Sequence, residues 1–106
     1  MIAYRYGVLT FNSGNDGTIA VVGRFGAAES PAAQSFLDRM QGPVTLDCSQ
    51  LEYISSAGLG VLLKTQKRLA GVNARVRLVS VRPNLLEIFR FSGFDRIFDI
   101  EPAAAG

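Results

Sequence analysis

The sequence predicts a single α/β domain: a mixed, mainly parallel β-sheet with an N-terminal β-hairpin and packed helices. Three observations carry this. Short apolar or alternating runs are interleaved with stretches of helical period. The run Val44–Cys48 is almost wholly apolar, as in a central parallel strand covered on both faces. Breakers at Asp16-Gly17, Gly42-Pro43, Gly71 and Gly93 separate the runs. A chain of 106 residues is long enough for one hydrophobic core and too short for two.

The elements follow in order. Tyr4 to Phe11 reads as one strand, with Tyr4, Tyr6 and Val8 on one side. The turn formers of residues 12–17 end in Asp16-Gly17, a strong hairpin signal. Thr18 to Phe25 is β-rich and completes a hairpin over 4–25. Ser30 is placed to cap a helix over 31–41, and Pro31 suits its first turn, where no N–H is needed. Ala33, Phe36, Leu37 and Met40 form its apolar stripe. A strand over 44–48 comes next, then a helix over 57–71 with the stripe Leu59, Leu62, Leu63, Gln66 and Leu69. Gly71 suits its C-terminal cap. A strand at 76–81, a helix at 83–92 buried through Leu85, Leu86 and Phe89, and a strand at 97–100 complete the order β-β-α-β-α-β-α-β. The domain is expected to span 1–101, and residues 102–106 to form a flexible C-terminal tail.

Composition narrows the function. Net charge is +2, from 11 basic and 9 acidic residues, and the basic residues are scattered, so nucleic acid is not an expected partner. Lys64, Lys67 and Arg68 share one side of the second helix and read as a solvated face. There is no histidine, which removes a Ser-His-Asp triad, a Cys-His pair and the usual zinc sets. No enzyme, cofactor or metal site is therefore expected. Cys48 is the only cysteine and reads as a small buried residue in a reducing compartment. No apolar run approaches the roughly 20 residues that span a bilayer. Cytoplasmic location without direct membrane insertion is expected.

One segment stands out. After the strand ending in Asp47, a polar stretch leads to Ser55-Ser56-Ala57-Gly58-Leu59-Gly60 at the start of the second helix. A hydroxyl there can cap the helix, or it can carry a phosphate at the positive helix end. Small residues let a helix start close to a neighbouring strand, and they equally let a partner approach. The segment lacks the lysine of a Walker loop and the three-glycine spacing of a dinucleotide fingerprint.

Residues 44–63 resemble the signature of STAS domains, in particular anti-sigma factor antagonists of bacterial partner-switching systems. The matching residues are Asp47, the Cys48–Glu52 loop, Tyr53-Ile54, and then Ser55, Ser56, Ala57, Gly58 and Leu59. Gly23-Arg24-Phe25 and Gly93-Phe94-Asp95-Arg96-Ile97-Phe98 resemble flanking segments of the family. The resemblance implies a STAS-type fold and phosphorylation at Ser56. It also implies an anti-sigma factor with serine kinase activity as partner, release of that partner on phosphorylation, and a serine phosphatase that reverses the mark. The expected contact surface is Gly26, Ser55, Ser56, Ala57, Gly58 and Gly60. Two positions depart from the family, which often has aspartate where this chain has Gly26 and Ser55. An alternative within the fold is an unphosphorylated interaction module in a signalling or membrane-transporter complex.

Overall fold

Gly7 divides the first expected strand in two. The computed structural model describes residues 2–14 and 16–104. In it β1 (Ile2–Tyr6) and β2 (Leu9–Ser13) pair antiparallel, with Tyr6 opposite Leu9. Gly7 and Val8 form the two-residue turn between them, and Gly7 takes a φ of 61°, open to glycine without steric cost. The expected two-stranded hairpin is thus a three-stranded meander, completed by β3 (Thr18–Phe25) antiparallel to β2. The Asp16-Gly17 turn forms as expected: Asp16 Oδ1 accepts the Thr18 N–H at 3.0 Å, and Gly17 has a φ of 82°.

The sheet has seven strands in the order β1-β2-β3-β4-β6-β7, with β5 also paired to β3. Here β4 is Val44–Asp47, β5 is Leu51–Ile54, β6 is Val76–Val81 and β7 is Asp99–Pro102. All four pairings beyond the meander are parallel. β4 is central, between β3 and β6. The strand expected at 97–100 lies instead at Asp99–Pro102, because Phe94–Arg96 forms a 3-10 turn that delays it. Ala103 N–H still donates to Val81 O at 2.9 Å, two residues past the domain end expected at 101. Residues 105 and 106 of the expected tail lie outside the described residues.

The three helices, α1 (Ser30–Leu37), α2 (Ser56–Ala70) and α3 (Pro83–Phe91), bury Phe36 and Leu37, Leu62 and Leu69, and Leu85 and Phe89 respectively. Phe36 stacks on Phe11 at 4.5 Å between ring centres, and Tyr4 packs on it at 5.0 Å, so α1 is held against the meander. A second aromatic set, Phe89, Phe94 and Phe98, joins α3 to the 3-10 turn. α1 stops at Leu37, short of 41, and the Leu37 carbonyl accepts the Arg68 guanidinium at 2.9 Å. Ser30 does not cap α1: it is the first helical residue, and its hydroxyl donates to Gly26 O at 2.8 Å. Gly71 stands at the C-cap of α2 in a right-handed conformation, and Asn73, at a φ of 59°, takes the left-handed position.

Candidate functional site

The site grows from the way β4 leaves β3 and β5 returns to it. β4 pairs β3 as far as Asp47 opposite Ala20. Asp47 Oδ1 then accepts the Ser49 N–H at 2.9 Å in an Asx turn, while the Cys48 N–H still donates to Val79 O and the Gln50 carbonyl accepts the Gly23 N–H, each at 2.9 Å. The chain rejoins β3 with Leu51 opposite Gly23 and Ile54 opposite Phe25. The stretch expected as a loop over Cys48–Glu52 therefore ends inside a strand. Ser55 N–H donates to Phe25 O at 2.9 Å, which fixes the start of α2 beside the end of β3. Tyr53 points outward, with the Arg24 guanidinium 4.5 Å above its ring.

The cap of α2 lies one residue earlier than the expected helix 57–71 implies. Ser55, in extended backbone, is the N-cap, and its hydroxyl accepts the Gly58 N–H at 3.1 Å. Ser56 is the first helical residue, exposed, and its hydroxyl makes no hydrogen bond among the described residues. A helix beginning at Ala57 would make Ser56 the cap. Backbone geometry decides the matter, because the cap must precede the helical dihedrals and Ser55 does. The first turn of α2 carries no acidic residue of its own to offset the positive helix end.

The glycines differ as well. A Cβ on Gly58 would sit 2.8 Å from Ile54 Cγ1 and 2.9 Å from Phe25 O, so this residue must be bare for α2 to lie against β3 and β5. Its closeness turns α2 so that Gly58, Val61, Leu62, Thr65, Gln66 and Leu69 are buried, while Leu59 and Leu63 of the expected stripe are only half-buried. Gln66 is inside for a reason: its Oε1 accepts the Val76 N–H at 2.7 Å. Gly60 has open space where a side chain would be. Gly26 is half-buried beside the site, and its N–H donates to Glu29 Oε1 at 3.0 Å.

Between α1 and α2 runs an open groove of about 550 Å³, walled by Pro31, Gln34 and Ser35 on one side and Gly60, Val61 and Lys64 on the other. Ala57 also lines it, next to Ser56. Of the expected surface, Ser56 and Ala57 are exposed, Ser55, Gly60 and Gly26 are half-buried, and Gly58 faces the interior. The α1 wall of the groove was not legible as part of the site, since nothing in the sequence says which helix faces α2. Arg68, read as solvated, reaches back to Leu37 O and lies 3.7 Å from Asp38.

Cys48, beside Asp47, is buried, and its thiol is pushed up to about 12 by burial and by the Asp47 charge, so it stays protonated near neutral pH. Among the described residues, no group of three or more His, Cys, Asp or Glu side chains could hold a metal ion. No helix among them is long and apolar enough to cross a membrane.

Comparison with known proteins gives the family and supports the fold. Residues 10–101 match the family described as "Mlab, STAS domain", and the chain belongs to the STAS domain family. BtrV of Bordetella bronchiseptica, provisionally named an anti-sigma factor antagonist, is 41% identical over 73 residues, covering 65% of this chain and 63% of BtrV. The match thus spans less than two thirds of that relative's length. An anti-sigma factor antagonist from Mycobacterium paratuberculosis superposes with a TM-score of 0.71 at 18% identity, over 95% of this chain and 83% of its own. The Bacillus cell fate determinant SpoIIAA in its phosphorylated form gives 0.65 at 16% identity, over 87% and 89%. At such identity these two structures speak to the fold.

Proposed function

We propose that the protein is an anti-sigma factor antagonist that acts by binding, not by catalysis. Its partner in this reading is an anti-sigma factor with serine kinase activity, in the cytoplasm. The unmodified chain engages that partner and so frees a sigma factor. Phosphorylation of Ser56 breaks the contact, and a serine phosphatase restores it. The contact surface is the one around Gly26, Ser55, Ser56, Ala57, Gly58 and Gly60, with Gly58 acting through the placement of α2.

The observation that carries this reading is the division of labour between the serines. Ser55 is committed to the Gly58 N–H, while the Ser56 hydroxyl is exposed at the first residue of α2. A phosphate brings about −1.5 to −2 charges at neutral pH. At a helix N-terminus that charge is accommodated in the free domain. Pressed into an interface it must shed water and be paired. A difference of about 3–4 kcal/mol between the two situations changes affinity several hundred-fold. The relatives' names support the reading, and one structural neighbour has itself been seen phosphorylated.

The absence of acidic residues at Gly26 and Ser55 favours a second reading, a module that keeps its partner without modification. Incubation with the anti-sigma factor kinase and ATP separates the two. Phosphate mapped to Ser56 by mass spectrometry supports the switch; a stable complex with no phosphate incorporated supports the module.

A further inference from the structure

The groove between α1 and α2 has a sign and a shape. Both helices begin at it: Ser30 and Pro31 open α1, Ala57 follows the first residue of α2, and all three line it. Neither first turn holds an acidic residue; Glu29, the N-cap of α1, sets a carboxylate on the Gly26 N–H at that helix end, while the first turn of α2 has no counter-charge of its own. Lys64 is the only charged side chain along the walls, and it makes no ion pair among the described residues. Asp38, further along α1, is already engaged by Gln34 Nε2 at 2.9 Å and by Arg68. Ser56, Gly60 and Lys64 fall at i, i+4 and i+8, which puts them in one row along α2, with the bare Gly60 between the serine and the lysine.

Resting on the function proposed above, we infer that this groove seats an apolar side chain of the anti-sigma factor over Gly60, flanked by an acidic residue that pairs with Lys64. Gln34, donating to both Asp38 and Thr65, fixes the opposite wall, so the slot exists before the partner arrives. Pre-formed walls spare the partner the ordering cost of shaping them. Lys64 stands about 12 Å in rise from Ser56, beyond the Debye length of about 8 Å at physiological salt. The two ends of the row therefore do separate jobs: Lys64 sets the resting affinity and Ser56 switches it.

The experiment is calorimetric titration of the purified anti-sigma factor kinase with the wild-type chain and with Gly60→Leu, Lys64→Met, Lys64→Glu and the double variant Ser56→Asp/Lys64→Glu, at two salt concentrations. Folding of each variant is checked by circular dichroism; a Cβ at Gly60 has nothing within 4 Å in the free chain. Gly60→Leu should weaken binding at least tenfold by filling the slot. Lys64→Glu should weaken it roughly tenfold, Lys64→Met less, and both should flatten the salt dependence. Ser56→Asp and Lys64→Glu should multiply without coupling. Exchange of the partner's acidic residue for lysine should rescue Lys64→Glu. Wild-type affinity in Gly60→Leu, or unchanged or tighter binding in Lys64→Glu, overturns the inference while leaving a phosphorylation switch at Ser56 intact. A wild-type chain that binds no such kinase overturns the proposed function, and the inference with it.

Discussion

The Ser55 hydroxyl accepts the Gly58 N–H at 3.1 Å, and this one bond leaves the hydroxyl of the next residue, Ser56, unoccupied at the helix start. Capping thereby falls to Ser55, and the modification proposed above falls on its neighbour.

A difference in stability follows. Ser55→Ala should cost about 1 kcal/mol, the usual loss on removing a serine cap. Ser56→Ala, at an exposed position with no hydrogen bond to lose, should stay within about 0.5 kcal/mol. Urea unfolding of the two variants checks this, and a larger loss at Ser56 would reassign the cap.

The two glycines of the segment should respond oppositely to alanine. At Gly58 the new methyl meets Ile54 and the Phe25 backbone at under 3 Å. Overpacking of about 1–3 kcal/mol should there outweigh the helix-propensity gain of up to about 1 kcal/mol. At Gly60 only the gain remains, so Gly60→Ala should raise stability by about 0.5–1 kcal/mol. Thermal melts of the pair read the sign directly.

Gln66 is buried, with its Oε1 on the Val76 N–H at 2.7 Å, at the point where α2 meets β6. Gln66→Leu keeps the volume and strands a buried backbone donor. The expected cost is about 1–3 kcal/mol, measured by denaturant titration, despite the gain in apolar character.

Cys48 should make stability depend on pH above about 9. Its thiol ordinarily ionises at 9.0 and in the fold is pushed up to about 12, chiefly by burial and then by the Asp47 charge. Between those values the unfolded chain loses a proton that the native chain keeps, so stability falls as pH rises. Each such proton is worth about 1.4 kcal/mol per pH unit. The wild-type curve should therefore fall more steeply than that of Cys48→Ala between pH 9 and 10. Parallel curves would contradict the buried, protonated thiol.

Much of the fold is legible in the sequence. The central place of Val44–Asp47 follows from its apolar run, and the three helices follow from their periods and breakers. What escapes is local. Gly7 splits the first strand because a single glycine suffices for a two-residue turn, and the alternation of Tyr4, Tyr6 and Val8 runs straight across it. β5 is missed because Leu51–Ile54 is short, and its pairing with β3 is set by the Asp47 turn and not by its own composition. The cap shifts from Ser56 to Ser55 because two adjacent serines are equivalent until the backbone dihedrals are known. The resemblance in the sequence picks out the segment proposed as the site, while the groove beside it depends on how α1 crosses α2.

The central claim is that a phosphate on Ser56 turns off binding to an anti-sigma factor. The direct measurement is the dissociation constant of that anti-sigma factor for the chain before and after phosphorylation, with the phosphate located by mass spectrometry. The account predicts modification at Ser56 and an affinity at least a hundredfold weaker in the modified chain, a difference of about 3 kcal/mol or more. Phosphate found only on Ser55, or equal affinity of the two forms, would contradict it.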